Sequence, residues 1–133
     1  MKEKAGVVAY KYSSDEEPLV LLVSARKIKG SWVFPVGGVD PGESLKTAAK
    51  RECEEESGYC VEIEKKISSV ASCTDNKPTR FTFYLASVVT ETDTWETDRT
   101  RKWVPVSQAK DAVPSIFQNV ACEAAQYLSD IKK

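Results

Sequence analysis

The sequence contains no histidine, which excludes several common kinds of hydrolytic site. Its 133 residues offer no imidazole for a Ser-His-Asp or Cys-His nucleophile, a histidine-ligated metal or a phosphohistidine intermediate. Any acid or base that works near neutral pH must therefore be another residue type.

Long apolar runs and an excess of charge of one sign are also missing. No run approaches the roughly 20 residues of a membrane span. The 19 Lys and Arg nearly balance 20 Asp and Glu, so we expect neither DNA nor a membrane as partner. The charged start at residues 1–4 lacks the apolar core of a signal peptide, which favours a cytoplasmic protein. A secreted protein whose leader was cleaved before Met1 is the alternative.

Cysteine is scarce and unpatterned. Cys53, Cys60, Cys73 and Cys122 form no Cys-x-x-Cys pair, so we expect neither a structural zinc site nor a redox motif. Linkers, repeats and low-complexity tracts are absent from the sequence, which predicts one domain over residues 1–133, with a monomer favoured.

Short β-rich runs alternate with two helical patterns. Ser44 is a helix N-cap and Gly58 a helix stop, which together predict a helix over 45–57. Helical spacing of apolar residues, beginning with Ile116, predicts a second helix over 115–130. The glycine- and proline-rich segment 35–42 predicts a loop without regular structure. The predicted strands are 6–10, 19–23, 32–34, 60–71, 80–89 and 103–106, which indicate an α/β sandwich with a mixed sheet.

The first predicted helix carries acids on its inward side. On a helical wheel Glu52, Glu55 and Glu56 continue the apolar stripe that includes Ala49 and Cys53. Such packing repels and desolvates carboxylates unless cations neutralise them. Mg²⁺ or Mn²⁺, which prefer carboxylate oxygens, would do so. A solvated charged face is the alternative.

A longer motif surrounds these glutamates. Gly37, Glu43 and the run 51–59 (RECEEESGY) fit the spacing G-x5-E-x7-R-E-U-x-E-E-x-G-U, where U is bulky and apolar. This pattern, residues 37–59, resembles the complete Nudix box, with Cys53 and Tyr59 as mild departures. The resemblance implies the Nudix fold, an α/β/α sandwich with a mixed β-sheet, and metal-dependent hydrolysis of a diphosphate linked to another moiety.

The resemblance also implies roles for individual residues. Glu52, Glu56 and the backbone carbonyl of Val36 become ligands of Mg²⁺ or Mn²⁺. Glu55 becomes the catalytic base or a further metal ligand. Arg51 becomes an orienting residue, because its guanidinium can hold a glutamate through two hydrogen bonds.

Outside the box, the segments 21–26, 32–38 and 95–103 resemble the diphosphoinositol polyphosphate phosphohydrolase branch of the family. This implies a small-molecule polyphosphate substrate, either an inositol pyrophosphate that loses its terminal phosphate or a diadenosine polyphosphate. The implied substrate-binding residues are Lys4, Ser24, Arg26, Lys27, Gly37, Gly38, Arg80, Arg99, Arg101 and Lys102.

Two other functions stay open. A nucleotide or messenger-cap Nudix hydrolase would stack a base on an aromatic side chain, for which Trp32 and Trp95 are candidates. A catalytically silent Nudix module would only bind a phosphorylated ligand, although such a module has no need for all three glutamates.

Overall fold

The computed structural model describes residues 1–26, 30–74, 76–96 and 98–132, with the backbone alone at 74, 131 and 132. Within these residues the chain forms seven strands and three α-helices. The strands are β1 Lys2–Tyr12, β2 Pro18–Ser24, β3 Trp32–Val33, β4 Val36–Gly38, β5 Tyr59–Thr74, β6 Lys77–Glu91 and β7 Arg101–Pro105. The helices are α1 Leu45–Ser57, α2 Val106–Ala112 and α3 Gln118–Lys132, with a 3₁₀ turn at Ser115–Phe117.

The strands form one mixed sheet in the order β3-β2-β1-β6-β5, in which β4 pairs with β1 and β7 pairs with β2. Strands β1 and β6 run parallel, and the other pairs are antiparallel. Strand β1 pairs with β2 only over Tyr10–Tyr12, and its Lys4–Gly6 end pairs with β4. Strands β1 and β2 therefore separate at this end of the sheet, and the first residues of the 37–59 motif lie there in β4.

Helices cover both faces of the sheet. Alternate residues of β1 point to opposite sides, as Val7 and Val8 show, because side chains alternate along a strand. One core packs the sheet against α2 and α3, with Phe83 fully buried at its centre. The other packs it against Ala48, Ala49 and other small residues of α1. The predicted sandwich with a mixed sheet is therefore observed.

Most predicted elements are present, with three differences. Segment 35–42 is not all loop, because Val36–Gly38 pairs with β1 as strand β4. Helix α2 follows β7 directly and was not predicted. Ile116, expected to face the core, is 41% exposed, since the 3₁₀ turn buries Phe117 instead. No helix in the described part of the chain is long and apolar enough to cross a membrane.

Candidate active site

Backbone groups at both ends of α1, the helix that carries the glutamates, form hydrogen bonds with residues close in sequence. The Thr47 backbone N–H donates to Ser44 Oγ at 3.1 Å. At the other end Gly58 adopts a left-handed φ of 78°, and its N–H donates to the Glu54 carbonyl at 2.8 Å. The sequence therefore defines this helix at both ends by capping chemistry.

Arg51 ties α1 to the glycine segment before it. Its Nε donates to Glu43 Oε2 at 2.8 Å, and its Nη2 donates to the Gly38 carbonyl at 2.9 Å. Its Nη1 donates to Glu52 at 2.9 Å and to Glu55 at 3.2 Å. The hydrogen bond from Arg51, followed by one from the Asp40 backbone, lowers the pKa of Glu43 to about 2. Arg51 is thus placed as an orienting residue would be.

Glu52 and Glu56 meet beneath β4. Glu56 is only 3% exposed, and the Val36 backbone N–H donates to its Oε1 at 3.3 Å. A Cβ at Gly37 would collide with the Glu52 carboxylate, so only glycine allows the strand this close. Burial, and then the hydrogen bond to Glu52, raise the pKa of Glu56 to about 9, although Arg99 opposes the shift. Without a bound cation, the pocket therefore favours the protonated form of this acid.

The oxygen donors fit a hard divalent cation. Glu52 and Glu56 place two carboxyl groups side by side in a largely buried position next to Val36, and a cation there would replace the proton that burial of Glu56 favours. Glu55, predicted on the same inward face, is instead 52% exposed and turned toward Arg51, because its position on the helix lies to one side of the buried pair. Within the described residues no group of three or more His, Cys, Asp or Glu already surrounds one cation position.

Three of the predicted substrate-binding cations line the same pocket as the two acids. Lys4 comes from β1, Arg26 follows β2, and Arg99 precedes β7. The pocket has a volume of about 460 Å³. Its lining also includes Gly37 and Gly38, together with Ser31, Val33, Val36, Glu52, Glu56, Glu96 and Pro114. Positive charge from three separate segments therefore surrounds the acidic centre.

Other predicted binding residues lie elsewhere. Arg80 pairs with Glu3 at 2.6 Å outside this pocket. Arg101 stacks on the rings of Tyr59 and Trp95, with its guanidinium carbon 4.4 and 4.0 Å from the ring centres. Arg101 also pairs with Glu91. Its Nη1 donates to the carbonyl of Ser57, the last residue of α1, so its contacts pack β7 against the end of that helix.

Two of the remaining predicted residues, Ser24 and Lys102, border a neighbouring cavity or the Trp32 ring in its wall. Ser24 lines that cavity beside Trp32, and its carbonyl accepts a hydrogen bond from Arg99 Nη1 at 2.6 Å. Lys102 places its Nζ 4.2 Å from the centre of the Trp32 ring. Lys27 lies outside the described residues.

Sequence reasoning missed two acids of the pocket region. Glu96 and Asp98 both form ion pairs with Arg26, and Glu96 also lies beside Arg99. The only signal in the sequence was their position immediately before Arg99. Their partner Arg26 lies about 70 residues away, which no local pattern reveals.

A family model described as the NUDIX domain matches residues 2–121. The chain belongs to the Nudix family. Nudix hydrolase 4 of Arabidopsis thaliana is 31% identical to this Nudix chain over 134 residues, 92% of the chain and 64% of that protein. Diphosphoinositol polyphosphate phosphohydrolase 2 of Rattus norvegicus is 32% identical over 137 residues, 98% of the chain and 71% of that protein. The predicted enzyme class, a hydrolase, agrees with the family and with these names.

Solved structures share the fold. The Ap4A hydrolase of C. elegans, in a binary complex, superimposes with a TM-score of 0.80 at 22% identity, covering 98% of this Nudix chain and 99% of that one. A NUDIX hydrolase from Nitrosomonas europaea superimposes with a TM-score of 0.73 at 19% identity, covering 90% and 85%. The predicted Nudix fold, an α/β sandwich with a mixed sheet, is confirmed.

Proposed function

We propose that this Nudix chain hydrolyses the diphosphate group of diphosphoinositol polyphosphates with Mg²⁺ or Mn²⁺, and accepts diadenosine polyphosphates as a second substrate class. One observation carries the proposal: Lys4, Arg26 and Arg99, from three separate segments, line the same pocket as Glu52 and Glu56. A ligand with many phosphates needs charge-assisted contacts on several sides. The name of the rat relative, 32% identical to this chain, supports the same substrate class.

The box residues divide the chemistry. Glu52, Glu56 and the Val36 carbonyl would hold the divalent ion, which when bound supplies neutralisation of phosphate charge and a more acidic water. Glu55, exposed and held by Arg51, would take the proton of the attacking water as that water approaches phosphorus in line. Arg51 holds Glu52 and Glu55 through the same Nη1 atom, so it orients both carboxylates.

A nucleotide substrate is the second candidate, and the neighbouring cavity favours it. This cavity of about 560 Å³ is lined by Trp32, Arg26, Ser31 and Asp98, among others, and shares Arg26 and Ser31 with the acidic pocket. A base stacked on Trp32 would leave its phosphates near Arg26. Trp95, the other candidate platform, packs on Arg101 instead.

Product analysis separates these candidates. The protein is incubated with Mg²⁺ or Mn²⁺ and, separately, with 5-diphosphoinositol pentakisphosphate, diadenosine hexaphosphate, a capped RNA or a nucleoside diphosphate sugar. We expect preferential conversion of the first to inositol hexakisphosphate. Turnover of nucleotides alone would overturn the substrate class, and inactivity on all four would favour a binding module.

Variants of neighbouring glutamates then test the chemistry. Glu55→Gln is expected to lower turnover by at least ~10²-fold, as when a proton acceptor is lost. Glu54→Gln, one residue earlier and directed at Cys60, is the matched control and should keep the wild-type rate. Equal rates for both variants would contradict the role of Glu55.

A further inference from the structure

Two arginines from separate segments of the pocket lining converge on the Glu96 side chain. Arg26 Nη2 pairs with Glu96 Oε2, and Arg99 Nε lies 3.4 Å from Glu96 Oε1. All three residues line the pocket that contains Glu52 and Glu56. A carboxylate between two guanidiniums occupies the position that a phosphate group would favour.

The fit between Glu96 and Arg99 is incomplete. Among the described residues, Glu96 Oε1 and Arg99 Nε are both buried and neither has a hydrogen-bond partner. The Arg99 side chain is only 10% exposed, and its Nη1 donates to the Ser24 carbonyl while its Nη2 is 4.0 Å from Glu56. Buried polar groups are normally satisfied, so this unused donor points to a ligand with more oxygens than a carboxylate.

For such a ligand to enter between the two arginines, the Glu96 side chain would have to move, whereas Asp98, which also pairs with Arg26, is 60% exposed. The Glu96 backbone N–H donates to the Glu55 carbonyl at 2.8 Å, which fixes the loop to the last turn of α1. The Arg99 backbone N–H donates to the Glu96 carbonyl at 3.2 Å. The two guanidiniums can therefore stay in place while the carboxylate turns away.

We propose that Glu96 occupies a phosphate subsite between Arg26 and Arg99 and that a phosphate of the substrate displaces it. The inference deepens the proposed function and rests on it for the identity of the polyphosphate. Glu96 then weakens the binding of every ligand that fills this subsite. Its return between the arginines also favours release of the phosphorylated product.

Direct binding of inorganic tripolyphosphate, measured by calorimetry without divalent ions, tests the proposal. Glu96→Gln removes the competing charge, so the Kd should fall about tenfold. Glu91→Gln is the matched control, because it makes the same change beside Arg101, outside the pocket, and should leave the Kd unchanged. An unchanged or higher Kd for Glu96→Gln overturns the inference.

A double-mutant cycle tests whether Glu96 competes with the ligand at Arg26. If Glu96 competes at Arg26, then Glu96→Gln should tighten binding less in the Arg26→Gln background than in the wild type. Equal tightening in both backgrounds would overturn the subsite. Asp98→Asn, which frees Arg26 alone from a more exposed acid, should lower the Kd by a smaller factor and serves if Glu96→Gln fails to fold.

A manganese titration separates displacement from a direct role in metal binding. Glu96→Gln should bind Mn²⁺ as the wild type does, and loss of that binding would make Glu96 a metal ligand and overturn the proposal. Because tripolyphosphate binding requires no turnover, the Kd shift can hold even if the protein fails to hydrolyse diphosphoinositol polyphosphates. The two proposals therefore fail separately.

Discussion

Glu56 is an ionisable residue whose burial strongly disfavours its charged form. Its pKa is raised to about 9 by burial and by Glu52. An acid whose pKa rises on folding takes up a proton when the chain folds. Its contribution to stability is therefore complete below pH 4.5 and is lost as the pH rises toward 9.

Glu56→Gln should stabilise the metal-free protein, because a neutral amide needs no proton on folding, whereas Glu56 must take one up at any pH above its unfolded pKa. We expect its melting temperature to exceed that of the wild type by several degrees at pH 8 and the difference to shrink toward pH 5. Thermal melts in the presence of a chelator measure this. Glu54→Gln on the exposed side of α1 should behave like the wild type, and parallel pH profiles for Glu56→Gln and wild type would contradict the account.

Arg51 offers a second prediction at this scale. Arg51→Lys keeps the charge but loses the planar fork that contacts Glu43, Glu52 and the Gly38 carbonyl together. Loss of such an orienting contact typically lowers metal affinity or activity by about 10- to 100-fold, which we expect in kcat. Lys50→Arg next to it, fully outside this network, is the control. A wild-type kcat for Arg51→Lys would remove its orienting role.

The residues of the site differ in how far the sequence predicts them. The spacing of Glu52 and Glu56 on one helix is local, so their common face follows from the helical period, whereas Glu55, predicted on the same face, is exposed. The contact between Arg26 and Glu96 depends on how β2 and the loop before β7 meet, which long-range packing decides. Which arginines and lysines face the pocket therefore depends on long-range packing, and the residue type alone does not reveal it.

At the scale of elements, α1 is fully predictable and β4 is not. Ser44 and Gly58 specify the helix ends through capping groups that lie within a few residues. The short strand Val36–Gly38 forms only because β1 diverges from β2 and leaves Lys4–Gly6 to pair with it. Helix α2 likewise depends on burial of Val106 and Ala109 against the sheet rather than on a strong pattern of its own.

The C-terminus of α1 yields an element-scale prediction. Gly58→Ala would force alanine into a left-handed conformation and press its Cβ to 2.9 Å from Trp95 and 3.0 Å from the Thr92 carbonyl. We expect a loss of about 1–3 kcal/mol in the free energy of unfolding, measured by urea denaturation. Gly42→Ala, with φ of 81° and open space around it, isolates the conformational part and should lose less. An equal loss at both positions would exclude the Trp95 contact as a cause.

At the scale of the whole molecule, the two cores on opposite faces of the sheet position the site between them. Helix α1 belongs to one core, whereas Pro114 and the segment leading into α3 reach the pocket from the other side. A cation bound to Glu52 and Glu56 therefore contacts a site that exists only when both cores are folded. A ligand that binds only the folded state must raise global stability.

Saturating Mn²⁺ should accordingly stabilise the wild-type protein by about 2.7 kcal/mol when its concentration is 100 times Kd. Both carboxylates would bind the ion in place of the proton that burial of Glu56 favours, so Glu52→Gln and Glu56→Gln should lose this increment. Thermal melts with and without Mn²⁺ give the comparison, and Glu54→Gln should retain the full shift. If Mn²⁺ left the melting temperature of the wild type unchanged, or raised that of Glu56→Gln by the same amount, the cation would not bind at Glu52 and Glu56.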